Sequence, residues 1–330
     1  HLKLKNLIVF FDNNKISIDG PTSLAVSDNY KKRFESYGWN FLEINGHDEK
    51  QIFKAIKKSL VSKKPSLISC KTIIGYGSPN KAGKSSSHGA ALGESEVALV
   101  RKKLKWNYKP FDIPMEILSE WKKIGEKGIV KEKKWNSIYN KKSKKIKDEF
   151  YRTINDKLPK NFDKIINEQK KKFFNLKPDI ASRQSSASVL EVITSSLPEL
   201  IGGSADLSGS NNTNTKHSVI IKPSKFKGNY IHYGVREHAM AGIMNGMALH
   251  KGIIPYGGTF LVFLDYCKPS LRLSALMGLK VIYIFSHDSI GLGEDGPTHQ
   301  PVEHLAHLRS IPNLNVFRPA DTIETLECWE

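Results

Sequence analysis

In one glycine-rich stretch, His287 to His304, with the sequence HDSIGLGEDGPTHQPVEH, the carboxylates Glu294 and Asp295 and the imidazoles of His287 and His299 are the groups that could do chemistry. Glu294 and Asp295 suit hydrogen bonding to polyhydroxyl substrates, and His287 and His299 can exchange protons near neutral pH. The stretch follows an apolar run, residues 281–285, that reads as a buried strand. Three glycines and a proline hold it extended before a helical pattern begins near Pro301. Ligands of open α/β sheets sit at such strand exits. The bland alternative is a polar connection, and spacing alone does not decide between the two.

Other residue groups carry the same ambiguity. In Asp12-Asn13-Asn14-Lys15-Ile16, the Asn14 side-chain oxygen and the Ile16 carbonyl are hard donors suited to Mg²⁺, although Asn clusters mostly make turns. Arg183 in ASRQSS and Ser210 in GGSADLSGSN could bind a phosphate through guanidinium and hydroxyl. Equally, they could be a surface residue and a turn former. Glu237 in YGVREHAM falls in a first helical turn, where the helix dipole favours a carboxylate. Phe260, Phe263 and Tyr266, spaced by three, read as core packing on a helix, and His88 in SSSHGAALG as a loop histidine.

The segment GLGEDGPTHQP resembles a signature of the transketolase family, enzymes that depend on thiamine diphosphate, and the resemblance extends over nearly the whole chain. It implies that Asn14 and Ile16 are two ligands of the Mg²⁺ (or Ca²⁺) that accompanies the diphosphate. The third ligand would be the Asp of a GDG motif upstream of this sequence. His88 then stands beside the diphosphate and the substrate hydroxyls, with Ala91 where the family has proline. Glu237 hydrogen-bonds the aminopyrimidine and promotes its imino tautomer; the neutral form of such a carboxylate requires apolar burial. Phe263 stacks on the pyrimidine, with Phe260 and Tyr266 completing that pocket and Asp206 nearby. Arg183, Ser210 and His287 hold the sugar's terminal phosphate. Asp295 and His299 bind sugar hydroxyls, and His299 is also a candidate proton shuttle. Glu237, His299 and His88 are thus the expected catalytic residues.

Elements that could position these groups follow from the patterning. Strands at 7–11, 39–44 and 66–72 alternate with a helix at 49–62, which implies parallel βαβ units. Residues 73–93 form a long Gly/Ser loop, and from Glu94 to about Leu176 the pattern is helical, polar and lysine-rich. A second alternation begins near Asp179, with helices at 185–196, 236–250, 260–277 and 302–310. Strands are expected at 199–203, 229–233, 253–257, 280–286 and 314–317. The expected architecture is two parallel-sheet α/β domains of the thiamine-diphosphate-binding type. Residues 1–100 would be the latter part of the diphosphate-binding domain, 101–178 a lysine-rich helical connector, and 179–330 a C-terminally truncated pyrimidine-binding domain.

Composition constrains the class of protein. Hydrophobic content of 39% and charged content of 25% are those of a soluble globular protein. No apolar run approaches the ~20 residues of a membrane span, and no signal peptide is visible. Cys70, Cys267 and Cys328 lack metal-ligand spacing and read as buried, reduced thiols of a cytoplasmic protein. The net charge of +18 is uneven: residues 179–330 hold 12 basic and 14 acidic side chains, whereas 101–178 hold 24 and 10. With lysine dominant and little aromatic interleaving, a solvated face is favoured over a nucleic-acid groove, and the charge would steer anionic sugar phosphates.

The chain starts at His1 before a strand and stops at Glu330 inside an apparent helix, so an internal piece of a longer protein is expected. The resemblance implies transfer of a two-carbon ketol unit between sugar phosphates, in the pentose phosphate pathway or a Calvin-type interconversion. It also implies a homodimer with the cofactor at the subunit interface, and an isolated piece that is inactive. Dihydroxyacetone synthase and deoxyxylulose-phosphate synthase are the competing relatives, and Arg183 with Ser210 argues against the first. A transketolase-like binding protein without turnover and a basic nucleic-acid binder are the readings from other classes.

Overall fold

Strand β1 (Ile8–Asn13) opens the fold, followed by a hairpin of β2 (Ile16–Ser17) and β3 (Gly20–Pro21), in a computed structural model that describes residues 1–330. Helix α1 (Tyr30–Ser36), strand β4 (Asn40–Asn45), helix α2 (Glu49–Leu60) and strand β5 (Ser66–Lys71) complete a parallel sheet in the order β1-β5-β4. β5 is flanked on both sides, so its first five residues are all buried and it lacks the alternation of a half-exposed strand. β1, at one end of this order, is half-buried with Phe10 exposed. Asp48 caps α2 by accepting from the N–H groups of Lys50 and Gln51.

Helices α3 (Glu94–Lys103), α4 (Met115–Asn140), α5 (Lys144–Ile154) and α6 (Phe162–Leu176) follow. The chain divides into two compact units, His1–Trp135 and Asn136–Glu330, and the division falls inside α4. In the second unit come α7 (Ser182–Ser196), β6 (Leu200–Ser204), α8 (Ser208–Asn211), β7 (Tyr230–His232), α9 (Glu237–His250) and β8 (Ile254–Phe260). The last elements are α10 (Leu264–Leu276), β9 (Ile282–Ser286), α11 (His304–Arg309) and α12 (Thr322–Trp329).

The second sheet is parallel throughout, in the order β7-β6-β8-β9. Its core lies on both faces. Ile282 and Ile284 pack with α6, α7 and α12 through Ile166, Leu190, Ile193 and Leu326. Tyr283 and Phe285, alternating with them, pack with α10 and α11 through Leu264, Leu271 and Leu308. β8 is buried at every residue. Two of its residues must be glycine-small: a Cβ at Gly257 would come within 2.7 Å of Met244 Sδ, and one at Gly258 within 2.6 Å of Thr213 Cγ2.

The α/β class and parallel sheets agree with the sequence-based expectation, but local differences matter. Helix 260–277 begins only at Leu264, because β8 runs on to Phe260 and residues 261–263 form a 3-10 turn. Residues 314–317 form no strand; Leu314 and Val316 pack against the α10–α11 core without a hydrogen-bonded ladder. Cys70 and Cys267 are buried free thiols, whereas Cys328 is only half-buried. No helix is long and apolar enough to cross a membrane.

One buried ion pair ties α5 to the start of β6. Arg152 and Glu199 are 11% and 5% exposed and bond twice, at 2.6 and 2.9 Å. Removing only the cation leaves a buried carboxylate uncompensated, so Arg152→Met should destabilise the second unit by about 3 kcal/mol. Adding Glu199→Leu should restore much of that loss, as read by urea unfolding of the two variants.

Candidate active site at the strand ends

Parallel strands end on one edge, so the register of the second sheet decides which loops meet. Ser204 pairs with His232 and Gly258, and Phe260 pairs with Ser286. The residues just beyond these pairs are Asp206, Glu237 and His287, and with Phe260 itself they occupy the C-terminal edge where ligands of α/β sheets bind.

Phe260 and Phe263 are stacked, with centroids 5.6 Å apart and planes 12° from parallel. The 3-10 turn between them makes this possible by setting i and i+3 side chains on one side. Tyr266 follows at 5.8 Å from Phe263 and is largely exposed. The His299 ring stands edge-on to both, 6.0 Å from Phe260 and 5.3 Å from Phe263. The result is an aromatic wall with an imidazole at its margin. The sequence reading of a helical core stripe is therefore incomplete, since Phe263 and Tyr266 are not buried in the core.

Glu237 is the first residue of α9 and is 8% exposed. Its carboxylate accepts no hydrogen bond from the chain. Burial, with the Glu237 charge as a secondary influence, pushes the neighbouring Cys267 thiol up to about 12, so that thiol stays protonated.

His287 lies 3.8 Å from the Phe260 ring in a left-handed backbone conformation, φ +54°. Arg183 Nη1 donates to its Nε2 at 3.1 Å, and Ser286 Oγ lies 2.8 Å from its Nδ1. A guanidinium has no acceptor, so Nε2 must accept, and the proton of the neutral ring is assigned to Nδ1 and donated to Ser286. Burial first, and the Arg183 charge second, hold the His287 pKa below its ordinary value; Asp295 and Asp288 oppose the shift. The other Arg183 N–H groups make no bond within the chain. Ser210 lies in α8, beyond hydrogen-bond reach of Arg183 and His287, and Asp206 is an exposed left-handed residue, φ +64°.

The Glu294–Asp295 turn is exposed and is held from the side: Gln300 donates to the Leu292 carbonyl, Gly291 N–H bonds Ser289 Oγ at 2.9 Å, and Arg318 pairs with Asp288 at 2.7 Å. His299 Nδ1 lies 2.9 Å from Thr298 Oγ1.

In the first unit, Lys15 takes a left-handed conformation, φ +61°, and Ile16 N–H donates to Asn14 Oδ1 at 2.9 Å. That bond orients the amide oxygen and leaves it a second lone pair. Two oxygen donors, the Asn14 amide and the Ile16 peptide carbonyl, suit Mg²⁺ or Ca²⁺ chemically but are far fewer than either ion takes. The long loop 73–93 is held from within. Glu96, buried at the start of α3, accepts from the Ser78 hydroxyl and from Asn80 N–H and Nδ2, both at 2.9 Å. These bonds pull its pKa down to about 2. His47 Nε2 accepts from Ile73 N–H at 3.0 Å and its ring stacks on Tyr76. His88, at the end of this loop, is exposed and unpartnered.

Sequence reasoning missed Glu96, whose place in a first helical turn reads as ordinary capping, and Ser286, whose hydroxyl pairs with Nδ1 of His287. Neither carries a local signal.

Comparison with known proteins gives the family. Residues 1–159 match the family model for the transketolase thiamine diphosphate binding domain, and residues 178–330 match that for the transketolase pyrimidine binding domain. A transketolase of Sinorhizobium medicae is 49% identical over 330 residues, covering 100% of this chain and 47% of the relative. One from Buchnera aphidicola of Acyrthosiphon pisum is 51% identical over 334 residues, covering 100% and 50%. Among solved structures, the transketolase of Leishmania mexicana superposes with a TM-score of 0.91 at 37% identity, covering 100% of this chain and 49% of its own. A Pichia stipitis transketolase in complex with sedoheptulose-7-phosphate gives 0.91 at 39%, covering 100% and 50%. The chain spans about half the length of the relatives it matches.

The His287 geometry has a measurable consequence. Its ring should titrate below the ordinary ~6.5 of imidazole, and Arg183→Gln should raise that midpoint by removing a repelling charge. Because the folded pKa lies below the unfolded one, protonation favours the unfolded chain. Stability from this group is full above the ordinary value and declines as pH falls below it. Histidine NMR titration of both forms checks the order of the midpoints.

Proposed function

The chain belongs to the transketolase family, and on that footing we propose that its residues serve transfer of a two-carbon ketol unit from a ketose phosphate to an aldose phosphate. The observation that carries this reading is the strand-end cluster of the second unit. There the Glu237 carboxylate at the start of α9, an aromatic stack and an arginine-fixed imidazole share one edge. The proposed organisation is a diphosphate-binding domain at 1–100, a lysine-rich connector at 101–178 and a pyrimidine-binding domain at 179–330. Two copies associate, with the cofactor at their interface, in a cytoplasmic setting that keeps all three thiols free.

Thiamine diphosphate, when bound, supplies the nucleophilic carbon that takes up the ketol unit. Glu237 holds a proton shared with the aminopyrimidine, and its lack of any internal partner leaves the carboxylate free for that bond. Phe263 stacks on the pyrimidine, Phe260 and Tyr266 extend the same apolar wall, and Asp206 stands beside the ring. Asn14 and Ile16 bind the cation through their oxygens, the rest of its shell coming from phosphate, water and further groups. His88 contacts the diphosphate and the substrate hydroxyls.

On the substrate side, Arg183 and Ser210 hold the terminal phosphate. Both His287 nitrogens are already engaged, so its share is to orient the guanidinium, whose remaining N–H groups donate to the anion. Asp295 binds a sugar hydroxyl, and His299 moves a proton to or from the hydroxyl oxygen as the carbon–carbon bond is cleaved or formed. The Pichia stipitis relative, crystallised with sedoheptulose-7-phosphate, supports a phosphorylated sugar as the substrate class.

Calorimetric titration of thiamine diphosphate with Mg²⁺, paired with a ketol-transfer assay on the full-length protein, tests the reading. We expect Phe263→Ala to weaken cofactor binding about tenfold, the equivalent of ~1.4 kcal/mol. Glu237→Ala should lower turnover at least ~100-fold. The 330-residue chain by itself should transfer little, since it offers the cation two ligands. Unchanged turnover in Glu237→Ala would refute the assigned chemistry. Absence of cofactor binding by the unaltered protein would make it a non-catalytic relative.

A further inference from the structure

Away from the residues assigned above, the start of α10 and the segment entering α11 bring Asp265, Glu303 and His304 together, with ligand atoms within 4.8 Å of one another. His304 is the unusual member. Its side chain is 4% exposed, yet neither ring nitrogen makes a hydrogen bond. Buried polar groups in folded proteins nearly always have a partner, and an exception needs a physical explanation. Nε2 stands 3.5 Å from Asp265 Oδ2 and Nδ1 stands 3.9 Å from Glu303 Oε2. The imidazole is therefore aimed at both carboxylates without being bonded to either.

We propose that Asp265, Glu303 and His304 form a binding site for a divalent transition-metal ion of the zinc class. Imidazole nitrogen and carboxylate oxygen are both donors that such ions take, at about 2.0–2.2 Å, which places ligand atoms roughly 3.4 Å apart. An ion takes one ring nitrogen; with Nε2 as the donor, beside Asp265, the Glu303 carboxylate must swing over from the Nδ1 side, and both acids are exposed, at 54% and 56%. His304 is fixed by packing and presents the nitrogen. Two carboxylates and a neutral imidazole sum to −2, matching a divalent ion, and the imidazole selects against Mg²⁺ and Ca²⁺, which take oxygen ligands. Lys268 and His307 lie near Glu303 and are its competitors for the carboxylate. The alternative that the geometry also accommodates is an imidazolium held between two carboxylates, which takes up no metal.

A bound ion would clip the first turn of α10, two residues from Phe263, to the segment four residues beyond His299. It would thus hold two walls of the aromatic cluster at a fixed separation. The inference rests on the three side chains alone and stands or falls separately from the ketol-transfer reading.

Zn²⁺ titration by calorimetry, on full-length protein stripped with chelator and kept in excess Mg²⁺ to occupy oxygen-only sites, is the test. One Zn²⁺ per chain is expected, with affinity reduced at least ~10-fold by Asp265→Asn or Glu303→Gln. Both positions are exposed, so these variants should leave the fold and the metal-free melting temperature unchanged. X-ray absorption of the zinc form should show a single imidazole among oxygen ligands. No uptake of Zn²⁺, uptake unaffected by the two substitutions together, or a shell with several imidazoles would each overturn the site.

Discussion

The parallel register of the second sheet is the constraint on which the candidate site depends. Parallel pairing sends every strand toward the same edge, so the functional loops are neighbours in space although they are distant in sequence. The register is held by β8, whose seven residues are all buried between β6 and β9. Its glycines admit the methionines of α9 on one side and Thr213 on the other. A side chain at Gly257 would push α9 outward, and α9 carries Glu237 at its first turn. The position of a buried carboxylate thus follows from close packing some distance from it.

Electrostatics at this edge follow from the same geometry. Arg183 leaves α7 and meets His287 at the end of β9, and the guanidinium both repels a proton and occupies the nitrogen that would receive it. The imidazole is held neutral by burial and by this neighbour, and Ser286 completes its hydrogen bonding. Glu237 illustrates the complementary case. It is buried beside a thiol that stays protonated, with no donor from its own chain. A ring nitrogen of a bound cofactor would supply the missing partner.

The uneven charge has a physical role that does not require a nucleic-acid partner. Residues 101–178 carry 24 basic against 10 acidic side chains, whereas 179–330 carry 12 against 14. Lysines on solvated helices contribute a long-range field that attracts anions toward the protein. The residues assigned to hold them are few and specific. Long-range attraction and local recognition are thereby assigned to different parts of the chain.

Motif identity was settled by residue order alone: GLGEDGPTHQP, SSSHGAALG and YGVREHAM name the family without coordinates, and alternating apolar runs define the parallel α/β class. Strand β5 was legible as a short apolar run, and helix α2 because burial of one face imposes a helical period on the chain. The stack of Phe260 on Phe263 was not, since a spacing of three reads as a helical core stripe until the 3-10 turn after β8 is seen. Nor were the roles of Glu96 and Ser286, or the meeting of Asp265 with His304, because each depends on a partner distant in sequence or on a tautomer fixed by a neighbour. Local composition and spacing are written in the chain; which distant side chains share a hydrogen bond, a ring face or a metal ion is decided only when the sheet brings its strand ends together.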